Sequence, residues 1–319
     1  MPQDIENFWA MDLPINKTLA YDVVLLGFSQ NFQINLVLFL LFSIIYLVTV
    51  FGNGFMVCVV IICPHLHTPM YFFLSNLAVI DLLISTRTVP KLLMDLLSSS
   101  KSISLWGCCF QFYTASFLGE TEYLLLALMA YDRYVAICKP LHYLLTMRWS
   151  VCYRLLAIIL VIGFITTLIP SVLVPVKLCN PNQINHFVCG LRPVLKLSCD
   201  SVQELEILIT LFAFITILLP FIFILVSYIA IISSILKLHS TGRSKAFSTC
   251  SSHVMVVVLL YGTALVIFLS SSSNYTSNQE KYTSVVTLIV IPMLNPLIYS
   301  LKNKDVTKIF ATGKERNAA

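Results

Sequence analysis

A chain of 319 residues with 58% hydrophobic and only 11% charged side chains is far from a soluble domain, where about a quarter of residues carry charge. The net charge of +5 is spread over separate loops, which excludes the clustered basic surface of a nucleic-acid binder. That leaves a membrane protein, provided the apolar residues arrive in blocks long enough to cross a bilayer.

They do. Residues 1–30 lack the basic start and apolar core of a cleavable signal peptide and are expected to form an outer tail. This tail holds an acceptor sequon for glycosylation at Asn16-Lys17-Thr18. Seven apolar segments follow, at 34–62, 69–97, 104–138, 150–174, 205–236, 246–272 and 282–301. A spanning helix needs about 20 mostly apolar residues. Backbone in lipid must satisfy its own hydrogen bonds, and runs this long favour helices over barrel strands. The second and third segments are interrupted by polar residues and are the weakest by hydropathy. Pro220 interrupts the fifth, and Pro292 and Pro296 the seventh, each removing a helical hydrogen bond and inviting a kink. Beyond the last segment, Val306, Ile309 and Phe310 share one helical face opposite basic residues, the pattern of a short helix lying on the inner leaflet. The expected fold is therefore an all-α membrane protein, a seven-transmembrane helix bundle with its N-terminus outside. Its expected parts are an outer tail at 1–30, a bundle at 31–301, and an amphipathic helix and tail at 302–319.

Twelve of the twenty Lys and Arg residues, from Arg133 to Arg316, fall on one side, which the positive-inside rule makes cytoplasmic. The cysteines agree: Cys108, Cys109, Cys179, Cys189 and Cys199 lie on the opposite side, where disulfides form.

The polar residues inside the spans are few and share a depth. Asn53, Asp81, Glu122 and Asn295 each lie about seven to twelve residues from an inner end, or roughly 10–18 Å above the cytoplasmic face. Two carboxylates with amide neighbours suit a hard cation or a proton, and a neutral hydrogen-bonded cluster is the other reading. At the inner end of the third span, MAYDRYVAIC at 129–138 places Asp132, Arg133 and Tyr134. An ionisable side chain at membrane depth costs at least ~2.5–3.5 kcal/mol on insertion scales and marks a functional site by default.

The motifs together resemble one family. LLGFS at 25–29, GN at 52–53, PMYFFLSNLAVIDL at 69–82, MAYDRYVAICKPLHY at 129–143, SY at 227–228, KAFSTCSSH at 245–253 and PMLNPLIYSLKNKDV at 292–306 occur in this order on these segments. HFVC at 186–189 and KLSC at 196–199 fit the long outer loop. The chain resembles a vertebrate olfactory receptor, within the rhodopsin-like G-protein-coupled receptors.

The resemblance implies roles. Arg133 would hold an inactive state through Asp132 and then contact a G protein, supported by Tyr228 and Tyr299, with Tyr134, Lys245, Asn295 and Pro296 in the same activation machinery. Asp81, Glu122 and Asn295 would form a site for a sodium ion or a water, with no other cofactor. Cys108 would bridge to Cys189 and Cys179 to Cys199; four cysteines permit three pairings, and adjacent Cys109 rivals Cys108. The ligand pocket would be lined by Gln111, Ser116, Gly119 and Glu120, by Phe212 and Thr216, by Tyr261, Leu265 and Phe268, and by Val285 and Leu288. Such a lining suits a small, mostly apolar odorant. Ala115 stands where aminergic receptors carry an acid. Glu120 departs from the family, which has a small residue there, and it points about 200° away from Glu122. The implied partners are an odorant, a heterotrimeric G protein of the stimulatory, olfactory type and the lipid bilayer. The implied location is the plasma membrane of olfactory sensory cilia, with multiple passes, and the implied output is cyclic AMP. A seven-helix transporter or channel for small solutes is the alternative, but the outer halves of the spans are largely apolar. No enzyme is expected, since no pattern such as H-E-x-x-H appears.

Overall fold

The computed structural model describes residues 22–173, 183–190, 194–195, 198, 203–237, 240–269 and 277–302. Among these, seven long helical segments succeed one another: α1 (Phe32–Ile62), α2 (Pro69–Leu97), α3 (Leu105–Cys138), α4 (Trp149–Leu173), α5 (Gln203–Ile235), α6 (Ser240–Leu269) and α7 (277–302). Their starts are chemically marked. The Asn31 side chain accepts from the Gln33 amide at 2.8 Å, Pro69 opens α2, and Ser104 caps α3 by accepting from Gly107. The glycosylation candidate Asn16, the cysteines Cys179 and Cys199, and residues 303–319 lie outside the described residues.

Among the described residues, five helices are long and apolar enough to cross a membrane: Phe32–Ile62, Pro69–Leu97, Trp149–Ile169, Gln203–Ile235 and Gln279–Ser300. Their apolar side chains also face outward, with Phe51 72% and Val226 60% exposed, as lipid contact requires. The second segment, expected to be weak, qualifies. The polar third helix has a different surrounding. It packs against α2, α4, α5 and α6, so much of its surface meets protein and can hold Gln111, Glu122 and Asp132 out of lipid. The core is densest there, around Leu125, Leu126, Ala130, Ile231 and Val256.

The prolines act through the turns before them. Five-residue π-helical turns at Phe214–Leu218 and Val286–Val290 stand just ahead of Pro220 and Pro292 and absorb the missing hydrogen bonds. Pro296 has no N–H to offer the Pro292 carbonyl, one turn back. The Asn53 side chain donates to that carbonyl instead, at 2.9 Å from α1. A Cβ on neighbouring Gly52 would lie 3.0 Å from the Pro296 ring. The Gly52-Asn53 pair thus lets α1 approach α7 and repair its proline break.

Gly163 plays a comparable part between α3 and α4. A Cβ there would meet the Thr121 hydroxyl at 2.8 Å. Gly163→Ala is expected to lower the thermal stability of purified protein by about 1–3 kcal/mol through overpacking. The double variant Gly163→Ala/Thr121→Ala, which removes the clashing oxygen, should recover most of it. Equal unfolding temperatures for Gly163→Ala and the parent would rule this out.

One feature lies outside the all-helical expectation. Three short strands, β1 (Asp22–Leu25), β2 (Ser102–Ser104) and β3 (Gln183–Ile184), form a sheet in the order β2-β1-β3. β1 runs antiparallel to β2 and parallel to β3. The last part of the expected tail is thus packed chain, with Val23 and Leu25 buried.

Candidate functional site

At one end of the bundle, Asp132 is buried and held from two sides. Arg133 Nη2 lies 3.3 Å from one carboxylate oxygen, and the Tyr143 hydroxyl donates to the other at 2.8 Å. Pro140 follows the end of α3 and turns the chain back, which brings Tyr143 under Asp132. Burial and then the neighbouring carboxylate raise the Tyr143 phenol above its ordinary value, so it stays a donor. The motif holding Tyr143 is visible in sequence, but its role is not, because only the turn decides what it touches. Tyr134 lies beside Lys139, whose ammonium is 5.6 Å from its ring centroid.

A second link crosses three helices. His253 Nε2 lies 3.1 Å from the Leu126 carbonyl on α3, and Nδ1 lies 2.8 Å from the Tyr228 hydroxyl on α5. A carbonyl can only accept, so Nε2 carries a proton and donates to Leu126, while Nδ1 shares a hydrogen bond with the Tyr228 hydroxyl. His253 therefore ties α3, α5 and α6 together. Tyr299 is buried, and its hydroxyl has no hydrogen-bond partner among the described residues. The side chain of Lys245, on α6, is outside the described residues.

Nearer mid-bundle, Asn295 Nδ2 donates to both oxygens of Asp81, at 3.1 and 3.0 Å, and joins α7 to α2. Glu122 is 3% exposed, and among the described residues its Oε1 is without a hydrogen-bond partner, as are Asn53 Oδ1 and Asn295 Oδ1. Unpartnered oxygen acceptors suit a hard monovalent cation or a water. The set includes only two carboxylates, and no group of three or more His, Cys, Asp or Glu that could hold a metal occurs among the described residues. Asn295→Ala leaves Asp81 with no donor among the described residues. It is expected to destabilise the protein by about 1–3 kcal/mol, read as a lower unfolding temperature. Asp81→Leu on that background should restore part of the loss; a further drop would contradict the pairing.

The pocket candidates separate. Gln111 is buried, and its side chain accepts from the Cys189 amide at 2.9 Å, so it anchors the outer segment. Ser116 and Gly119 are half-buried on α3, and no atom lies within 4 Å of a Cβ built on Gly119. Thr216 is buried and donates to the Phe212 carbonyl at 2.9 Å. Tyr261 packs against Tyr123 and Phe221, with ring centroids 5.0 and 4.7 Å away, and its hydroxyl is buried without a hydrogen-bond partner among the described residues. Val285 and Leu288 pack against the cluster containing Phe42, Phe187 and Ile289. Leu265 is 56% exposed and lies on the outside of α6, where the bundle meets lipid. The side chain of Phe268 lies outside the described residues. Glu120 meets Thr166 of α4. Sequence reasoning missed Arg87, which donates to the Gln111 carbonyl and straps α2 to α3. An arginine inside an apolar span was the available signal.

The other end is closed by covalent and polar ties. Cys108 is bonded to Cys189, and Cys109, one residue on, is an exposed thiol. Lys281 Nζ donates to the Gly27 carbonyl at 2.6 Å and to Asn185 Oδ1 at 2.7 Å, and Lys101 reaches the Ser29 carbonyl. Gly27 has φ +66, a conformation that side chains disfavour, and this turn sends Phe28 onto Phe187 at 5.0 Å. The LLGFS and HFVC stretches therefore meet each other.

Long apolar helices, a buried ion pair at one end and a disulfide-tied cap at the other are features of a multi-pass membrane receptor. The family model "Olfactory receptor" matches residues 42–312. The dog "Olfactory receptor-like protein OLF1" is 45% identical over 300 residues, covering 91% of this chain and 94% of that protein. The human "Olfactory receptor 5I1" is 45% identical over 293 residues (91% and 93%), and the mouse "Olfactory receptor 5AP2" 46% over 296 residues (92% and 93%). The chain belongs to the olfactory receptor family.

Proposed function

We propose that this receptor binds small, mostly apolar organic molecules and activates a stimulatory, olfactory-type G protein, raising cyclic AMP. The observation that carries the reading is the Asp132 carboxylate, buried between Arg133 and Tyr143, in a member of this family. An ion pair at the end of a bundle is a bistable element: paired, it ties Arg133 to its own helix, and released, it frees a guanidinium for a partner. An odorant that binds the released state better shifts the population toward it. The His253 link to Leu126 and Tyr228 would have to break for α6 to move outward at its inner end.

On this reading the N-terminus and the disulfide face outside, and residues 302–319 lie along the inner leaflet. The receptor resides in the plasma membrane of olfactory cilia. Asp81, Glu122, Asn53 and Asn295 would hold a sodium ion or a water that stabilises the resting state. The odorant would sit beside Ser116, Gly119, Thr216 and Tyr261, where Gly119 leaves room and the Tyr261 hydroxyl offers a hydrogen bond.

The test is a cyclic AMP assay in cells displaying the receptor, against a chemically diverse odorant panel. A concentration-dependent rise that depends on the G protein supports the reading. Odorant-driven current or solute uptake without cyclic AMP would instead favour a channel or transporter.

A further inference from the structure

Glu120 is a carboxylic acid inside an apolar bundle, and no described interaction balances its charge. The ion pairs among the described residues are Lys91–Asp95 and Arg133–Asp132, so Glu120 has no cationic partner there. Its hydrogen bond is to the Thr166 hydroxyl. That hydroxyl has one hydrogen, and the Ile162 and Gly163 carbonyls compete for it at 2.8 and 3.2 Å. A carboxylate can accept about four hydrogen bonds, so most of its capacity is unmet.

The surroundings match a positive charge. Tyr113, Phe117 and Glu120 follow one another at i, i+4 and i+7 on one face of α3. Both rings pack edge-on against Phe164 of α4, with centroids 6.3 and 6.4 Å apart. The buried Tyr113 hydroxyl has no hydrogen-bond partner among the described residues and lies within electrostatic range of Glu120. Aromatic faces beside an acid favour an ammonium group. The preceding residue, Gly119, borders open space: beyond its own stretch of helix, no described atom lies within 4 Å of a would-be Cβ. The other two mid-membrane acids, Asp81 and Glu122, belong to the Asn295 layer. An ionisable acid at this depth marks a functional site by default.

We propose that Glu120 is the anionic anchor of a subsite on α3 that takes the ammonium group of a protonated amine, whose apolar remainder lies in the space beside Gly119. This rests on the receptor reading above and narrows its ligand class.

Isosteric pairs test it: cyclohexylamine against cyclohexanol, isoamylamine against isoamyl alcohol, and 2-phenylethylamine against 2-phenylethanol. Binding is read as thermal stabilisation of purified receptor in lipid nanodiscs, and signalling as cyclic AMP in cells. At least one amine should act at lower concentration than its alcohol. Glu120→Gln keeps an acceptor for Thr166 and should cut the amine-to-alcohol selectivity ratio about 30-fold or more, the loss expected when a desolvated charge pair is broken. Amines that bind no better than their alcohols overturn the proposal, as does a Glu120→Gln variant that weakens both members of a pair equally. Amine stabilisation lost in Glu120→Gln, with no cyclic AMP from any compound, upholds the subsite and overturns the signalling reading. Cyclic AMP from neutral odorants without amine binding does the reverse.

Discussion

Cys189→Ser is expected to remove most of the receptor from the cell surface and to lower the unfolding temperature of what remains. The Cys108–Cys189 bond joins the start of α3 to the segment beyond β3 across 81 residues. Closing a loop of that size in a freely unfolded chain corresponds to about 4–5 kcal/mol. Helices inserted in a bilayer already restrict the chain, so the measured loss should fall below this. The larger consequence is local. β1, β2 and β3 have four, three and two residues, too short for a sheet to stand alone. Without the bond, the Gln111 contact to the Cys189 amide loses its fixed partner. Phe187 then leaves Phe28, and the Lys281 ties to Gly27 and Asn185 lose their alignment. Cys108→Ser should match Cys189→Ser, and the double variant should be no worse than either. Cys109 should not substitute, because one residue along a helix turns its thiol about 100° away. Normal surface labelling of Cys189→Ser would contradict this account.

Arg133→Ala should reduce the odorant-driven cyclic AMP signal to that of cells lacking the receptor, with surface labelling retained. Asp132 keeps its bond to Tyr143, so the aspartate is not left without a partner. What is lost is the one guanidinium of the latch. The companion variant Asp132→Asn should act in the opposite direction. It removes the charge that ties Arg133 to α3 while preserving an acceptor for Tyr143. Loss of the ion pair shifts the two-state equilibrium toward the released state, seen as ligand-independent cyclic AMP. A full odorant response from Arg133→Ala would remove Arg133 from the coupling machinery. Unchanged basal signalling in Asp132→Asn would mean that the pair is not what holds the resting state.

Much of the bundle was legible because helices in lipid obey length and composition. The expected spans and the observed helices end within a few residues of each other for the first five, and α6 starts at Ser240 rather than residue 246. The second and third spans are the weakest by hydropathy, as expected: the second is the least apolar of the five that qualify and the third does not qualify. The outer sheet was not legible. Strands of two to four residues carry too short an alternation to be read, and they exist because three distant segments meet above the helices.

The sequence by itself determined the membrane-spanning class, the family, the shared depth of Asn53, Asp81, Glu122 and Asn295, and the adjacency of Asp132 and Arg133. Each follows from length, composition or helical period, which act within one segment. Only the tertiary structure decided the partners: Tyr143 under Asp132, Asn53 on the Pro292 carbonyl, His253 between Leu126 and Tyr228, and Thr166 against Glu120. It also decided that Leu265 turns outward while Gly119 borders open space. Helical period places a residue on a face of its own helix. Which neighbour that face meets depends on how the helices rotate and pack against one another, and small residues such as Gly52 and Gly163 set that by allowing close approach.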